Sequence, residues 1–229
     1  MEKFCRDRRR LRILSVGSGV GLFEIPMLKM LQDGGVQISE FVGVDVSAHA
    51  CAVLEENLRA EVGSGISYDV ACSPFQDFTT NEDFDIVLYN HTFEYLGGRP
   101  VTWLRKSQSL LTPGGSVIIF SPNRGGINRI YGEAIQELGG WTPFFADDIE
   151  VTLKSHRIRF LKKRLVAECD ISLLQESDPH PDKIKLLSFL TQRDCRAAPL
   201  EVRESYVEYY LSLRQNGRTI PHPTTMFIL

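Results

Sequence analysis

Three glycines alternate at Gly17, Gly19 and Gly21, directly after the apolar run Leu11–Val16. Glycine at these positions lets the backbone turn sharply and lets a ligand approach the main chain closely. A helix reading from Leu22 to Gln32 follows, and its amide-rich N-terminus points at the same turn. A carboxylate ends the next apolar run: Asp45 stands 24 residues after Gly21. At a strand tip it can accept two hydrogen bonds from the 2′ and 3′ hydroxyls of a ribose. Asp45 also reads as a turn residue or a helix cap. Glycine turn and carboxylate, in this order, describe a nucleoside pocket with Gly17, Ser18, Gly19, Gly21, Asp45 and Val46 on its wall.

Alternating elements must carry these residues. Strands are predicted at Leu11–Val16, Glu40–Val44, Ile66–Ala71, Phe84–Tyr89 and Ser116–Ser121. Helices are predicted between them at Leu22–Gln32, ended by Gly34 and Gly35, at Ser47–Val62 with Ser47 as N-cap, and at Pro100–Leu111. Thr112–Gly115 reads as a tight turn. Such alternation means a parallel sheet with helices on both faces. The last third is less regular. Helices are expected at Ile127–Leu138, from Ala146 with Asp147 as cap, at Ile184–Thr191 and at Leu200–Leu213. Strands are expected at Leu165–Leu173 and Met226–Leu229, and a loop at Pro179–Pro181.

Ligands in such a sheet lie beyond the carboxyl ends of the strands. There the fourth strand ends in Asn90, His91 and Thr92, and the third leads into Cys72, Ser73 and Phe75. Cys72 or Ser73 could meet an adenine edge, and Phe75 either lies on its face or packs in the core.

Composition narrows the class. The 229 residues carry a formal net charge of −3, with 43% hydrophobic and 24% charged residues. That suits one globular domain and gives no electrostatic reason to expect nucleic acid. No apolar run is long enough to span a bilayer, and the basic start lacks the apolar stretch of a secretory signal. The five scattered cysteines, without a C-x-x-C, suit free thiols in the cytoplasm. No histidine spacing suggests a metal, and Asp178–Asp182 reads as a proline-rich surface loop. There is no G-x-S-x-G of a serine hydrolase.

Asp83–Leu96 followed by Leu111-Thr112-Pro113-Gly114-Gly115 resembles class I S-adenosylmethionine-dependent methyltransferases. The resemblance implies an α/β, Rossmann-like seven-stranded sheet, mostly parallel with the last strand antiparallel. It implies one domain over residues 1–229, with acceptor-side helical additions in 123–222, and S-adenosylmethionine as co-substrate. Ser15 stands where that family commonly has an acid. Within the family the chain is most similar to the histamine N-methyltransferases, in Ile13–Gly21, Val46–Ala48, Phe144–Ile149, Leu187–Thr191, Ala198–Arg203 and Thr224–Ile228. The acceptor side departs from them. Only ten residues precede the first strand, no residue matches their substrate-binding acid, and their strand-four glutamine falls on His91. Their substrate asparagine falls near His222 and Pro223.

The resemblance implies in-line methyl transfer from a sulfonium to a small-molecule acceptor, with an amine nitrogen the first choice. No metal is needed, and proximity supplies most of the rate, about 7–11 kcal/mol. His91 would accept a proton or hold the acceptor, because an imidazole titrates near neutrality. Its alternative is packing beside the cofactor. Glu94 and Tyr95 would orient an amine, Glu94 reading equally as a surface residue. Asn90 joins the cofactor wall, and Tyr131, Trp141 and His222 the acceptor wall, where aromatic faces attract a cation. Core packing is the stronger alternative for Trp141. Other readings stay open: cyclisation or aminocarboxypropyl transfer from the same cofactor, or a non-catalytic partner that keeps the fold. A second copy of the chain or a partner would shield a site without a lid.

Overall fold

The computed structural model describes residues 10–62, 65–96, 100–139, 142–177, 180–215 and 217–229. Trp141, Asp178 and Pro179 lie outside the described residues. Strands β1 (Leu11–Val16), β2 (Ile38–Asp45), β3 (Ser67–Cys72), β4 (Phe84–Asn90), β5 (Leu111–Pro122), β6 (Leu161–Asp170) and β7 (Thr219–Ile228) form one seven-stranded sheet in the order β3-β2-β1-β4-β5-β7-β6. The helices are α1 (Glu24–Asp33), α2 (Ala48–Glu61), α3 (Pro100–Ser109), α4 (Asn128–Gly139), α5 (Ala146–Ser155), α6 (Pro181–Thr191) and α7 (Leu200–Ser212).

The chain divides into two compact units. The first comprises residues 1–120, 158–161 and 227–229. Its strand pairs β1–β2, β1–β4, β2–β3 and β4–β5 are parallel. The chain leaves β1 toward β2 and β3, then returns to place β4 on the other side of β1. Parallel crossovers are right-handed as a rule, which on the two sides of β1 puts helices on opposite faces, and the strand order reverses between the tips of β1 and β4. β1 and β4 are central strands, so they read as near-continuous apolar runs: Leu11, Ile13, Leu14, Val16 and Phe84–Tyr89 are all buried. Each large apolar side chain so buried contributes about 1.5–3 kcal/mol. Val117 and Leu229 exchange both backbone hydrogen bonds, at 3.1 and 3.0 Å, which is the mark of an antiparallel pair.

The second unit comprises residues 121–157 and 162–226. Its core gathers Ile127, Ile130, Ile171, Leu174, Leu187, Leu190, Tyr210 and Ile220. Tyr210 satisfies its buried hydroxyl by donating to Leu190 O at 2.7 Å.

The seven strands and their flanking helices are those expected, with local corrections. Thr112–Gly115 is a bulge inside β5: Phe84 pairs Leu111 and Ile86 pairs Ser116, so extra residues leave the ladder there. β6 begins at Leu161, four residues before the expected Leu165, and ends at Asp170, after which Ser172–Gln175 forms a 3₁₀ turn. β7 begins at Thr219, not Met226. Its Pro221 and Pro223 hid a strand that alternation alone would miss. The cap of α5 is Phe145, and Asp148 rather than Asp147 binds it, accepting from Phe145 N at 3.0 Å. Pro181 opens α6 instead of ending a loop, as its fixed φ allows.

Candidate active site

The glycine turn has positive φ at all three glycines: 69° at Gly17, 53° at Gly19 and 84° at Gly21. Only one of them faces open space. A Cβ on Gly17 would stand 2.2 Å from Thr92 Cγ2, and one on Gly21 would stand 2.6 Å from Leu54 Cδ1. A Cβ on Gly19 would meet no described residue within 4 Å. Gly17 and Gly21 thus serve packing, and Gly19 offers the close approach expected of all three.

Asp45 closes the turn from β2. Its Oδ2 accepts the Gly19 amide at 2.9 Å and its Oδ1 accepts the Ser47 amide at 2.9 Å. Each oxygen keeps a further lone pair for a hydroxyl. Ser47 caps α2, accepting from Ala50 N at 3.3 Å. Ser18 is buried beside Gly43, and its Oγ has no hydrogen-bond partner among the described residues. A turn open at Gly19, an orphaned hydroxyl and a doubly anchored carboxylate fit the ribose and amino-acid portions of S-adenosylmethionine. Gly19, Ser18 and Asp45 are the residues that would hold it.

The third tip adds to this wall. Cys72 pairs with Asp45 in register and is exposed, and Ser73 N donates to Asp45 O at 2.9 Å. Val46 is 70% exposed next to the carboxylate. Phe75 is 3% exposed and packs edge-on against Tyr89 at 6.0 Å, so it is a core residue.

At the fourth tip Asn90 O accepts from Thr92 Oγ1, which also reaches Gly17 O. His91 takes a left-handed conformation, φ 49°, which aims the chain out of β4. Its Nδ1 lies 3.9 Å from Glu94 Oε1. Glu94 is fully buried, which settles against a surface role, whereas Tyr95 is 41% exposed. The 3₁₀ turn Phe93–Tyr95 buries Phe93 and Glu94. In the second unit, Tyr131 on α4 is half-buried, 6.4 Å from the Phe145 ring. Burial lowers the His222 imidazole below its ordinary value.

Sequence reasoning passed over Glu24, and it named Thr92 at the fourth tip without giving it a role. Glu24 is buried with Ile25, Met27, Leu28 and Leu31. Its spacing from Met27, Leu28 and Leu31 places a carboxyl on the apolar face of α1, which was the available signal. Among the described residues no cluster of metal-ligating side chains occurs and no helix is long and apolar enough to cross a membrane.

Residues 14–117 match the family described as methyltransferase domain. The matched stretch holds the glycine turn and Asp45, so this part of the chain is similar to S-adenosylmethionine-dependent methyltransferase domains. Curated relatives include the ubiquinone biosynthesis O-methyltransferases of Bradyrhizobium sp. (strain ORS 278), 33% identical over 114 residues, and of Nitrobacter winogradskyi, 31% identical over 128 residues. The matches cover 50% and 53% of this chain and 41% and 45% of the relatives. The chain therefore spans less than half the length of the curated relatives it matches. These relatives are O-methyltransferases rather than histamine N-methyltransferases, which corrects the finer resemblance. Solved structures of the same fold include the YcgJ protein from Bacillus subtilis, with TM-score 0.63 and 12% identity over 100% of this chain and 94% of that one. Another is a methyltransferase from Thiobacillus denitrificans in complex with S-adenosylhomocysteine, with TM-score 0.56 and 14% identity over 100% and 88%.

Proposed function

We propose that the chain transfers a methyl group from S-adenosylmethionine to a small-molecule acceptor, with an amine nitrogen as the accepting atom. The observation that carries the reading is Asp45, held by two backbone amides at the mouth of a turn left open at Gly19. When bound, the co-substrate supplies an electrophilic methyl on a sulfonium whose departure leaves a neutral thioether. The protein's own part is alignment and proton removal. His91 receives the acceptor's proton, and the buried Glu94 carboxyl 3.9 Å away favours the resulting imidazolium. Tyr95 stands exposed on the same turn and steers the acceptor. Asn90, Cys72, Ser73 and Val46 complete the cofactor wall. Tyr131, Trp141 and His222, within the additions of 123–222, serve acceptor binding in the same proposal.

A hydroxyl acceptor is the second reading, favoured by the names of the curated relatives. Both readings use the same base. The test is incubation with methyl-labelled S-adenosylmethionine and a panel of amines and phenols. Labelled amine together with S-adenosylhomocysteine is the expected result. Labelled phenol alone selects the second reading. Methylthioadenosine as the by-product would replace methyl transfer with cyclisation or aminocarboxypropyl transfer.

A further inference from the structure

Glu24 is the first residue of α1 and is 2% exposed. Its Oε1 accepts from Ser15 Oγ at 2.9 Å, and Ser15 is itself fully buried on β1, two residues before the glycine turn. Main-chain amides of Phe23 and Glu24 also favour the ionised carboxyl. The charged group set against it is Asp45 at the end of β2, which repels that form. Among the described residues no lysine, arginine or histidine forms an ion pair with Glu24. Burial outweighs the hydrogen bonds and lifts the carboxyl to about 7. A buried carboxylate is tolerated when a cation accompanies it. The described residues bring none to this place, but the ligand that fits the turn does.

We infer that Glu24 is a positioning residue that senses ligand charge, its ionised form favouring the sulfonium of S-adenosylmethionine over the neutral thioether of S-adenosylhomocysteine. The inference rests on the cofactor reading proposed above. Ser15 holds the carboxyl beneath the turn, and the ionised state is completed when a cation arrives. Conversion of the sulfonium to a thioether removes that advantage and eases product release.

Calorimetric titration of the wild-type chain with both ligands, from about pH 6 to about pH 8, tests this. The preference for S-adenosylmethionine should rise by up to about tenfold as Glu24 ionises, because affinity follows the fraction of the competent form. The Glu24→Gln variant should show a flatter ratio, with the ligands' own titration common to both proteins. Measured in buffers of different ionisation enthalpy, the wild type should release more protons on binding S-adenosylmethionine near pH 7 than the variant does. If the variant fails to fold, the wild-type comparison of the two ligands carries the test. A ratio that does not change with pH in the wild type, or the same dependence in both proteins, overturns the inference and leaves the cofactor reading intact. No binding of either ligand at any pH overturns both.

Discussion

Thr92 Oγ1 donates to Gly17 O at 3.2 Å, and its methyl group occupies the space that a Cβ on Gly17 would need. The tip of β4 is thereby fastened onto the turn after β1, and the residue next to the fastening is His91. Gly17→Ala would force the two tips apart in a packed interior, at about 1–3 kcal/mol. The expected result is a lower Tm together with lower turnover. Gly19→Ala meets no neighbour, so its fold should lose only the cost of a left-handed alanine, about 1–2 kcal/mol. Its loss of S-adenosylmethionine affinity should be the larger effect, read by calorimetry against thermal melting.

Asp45→Ala removes the acceptor for the Gly19 and Ser47 amides as well as the proposed ribose contact. Losing hydrogen bonds to a charged group costs about 1.5–3 kcal/mol each. Affinity for both S-adenosylmethionine and S-adenosylhomocysteine should therefore fall at least tenfold and by similar factors, since both carry the ribose. Unchanged binding would remove Asp45 from the site.

His91→Ala should lower kcat by about 10²–10⁴, the ordinary worth of a general base, while the Kd for S-adenosylmethionine stays near the wild-type value. The left-handed backbone at His91 complicates the alanine variant. His91→Asn tolerates that conformation better and provides the control. Full turnover in both variants would make His91 a packing residue.

Glu24 also leaves a mark on stability. Its carboxyl rises from 4.5 to about 7 on burial, so the folded chain holds a proton that the unfolded chain has already lost between these values. The associated stability is complete below about pH 4.5 and is lost as pH rises through about 7, an effect on the order of 3 kcal/mol. Glu24→Gln keeps a neutral polar group throughout. In the absence of ligand it should gain Tm relative to the wild type at about pH 8, and the gap should close near pH 5. A wild-type advantage at high pH would contradict the burial argument.

The cofactor half was legible because its residues obey local rules. An apolar strand, alternating glycines and a carboxylate at the next tip constrain the backbone within a few residues of themselves. Ser47 is a cap by side-chain chemistry alone, and the structure shows the bond. What escaped depends on contacts distant in sequence. Nothing near Glu94 says that a 3₁₀ turn will bury it, and Phe75 resolves to core only once Tyr89 and Trp103 stand beside it. Thr92 matters because Gly17 lies 75 residues away in the chain. β7 was clipped because its prolines look like loop, although Asn123 N still finds Pro223 O at 3.0 Å.

Among the described residues, both groups that hold the Asp45 carboxylate are peptide N–H groups, one from the turn after β1 and one from the start of α2. A point of recognition clamped by main chain has no partner side chain to lose. Its rotamer is chosen before any ligand arrives, so little freedom remains to be surrendered on contact. The residues around it are correspondingly free to vary, provided the chain keeps its course. Retargeting such a protein to another acceptor could then proceed around the proposed nucleoside anchor, which sequence drift at neighbouring side chains leaves in place.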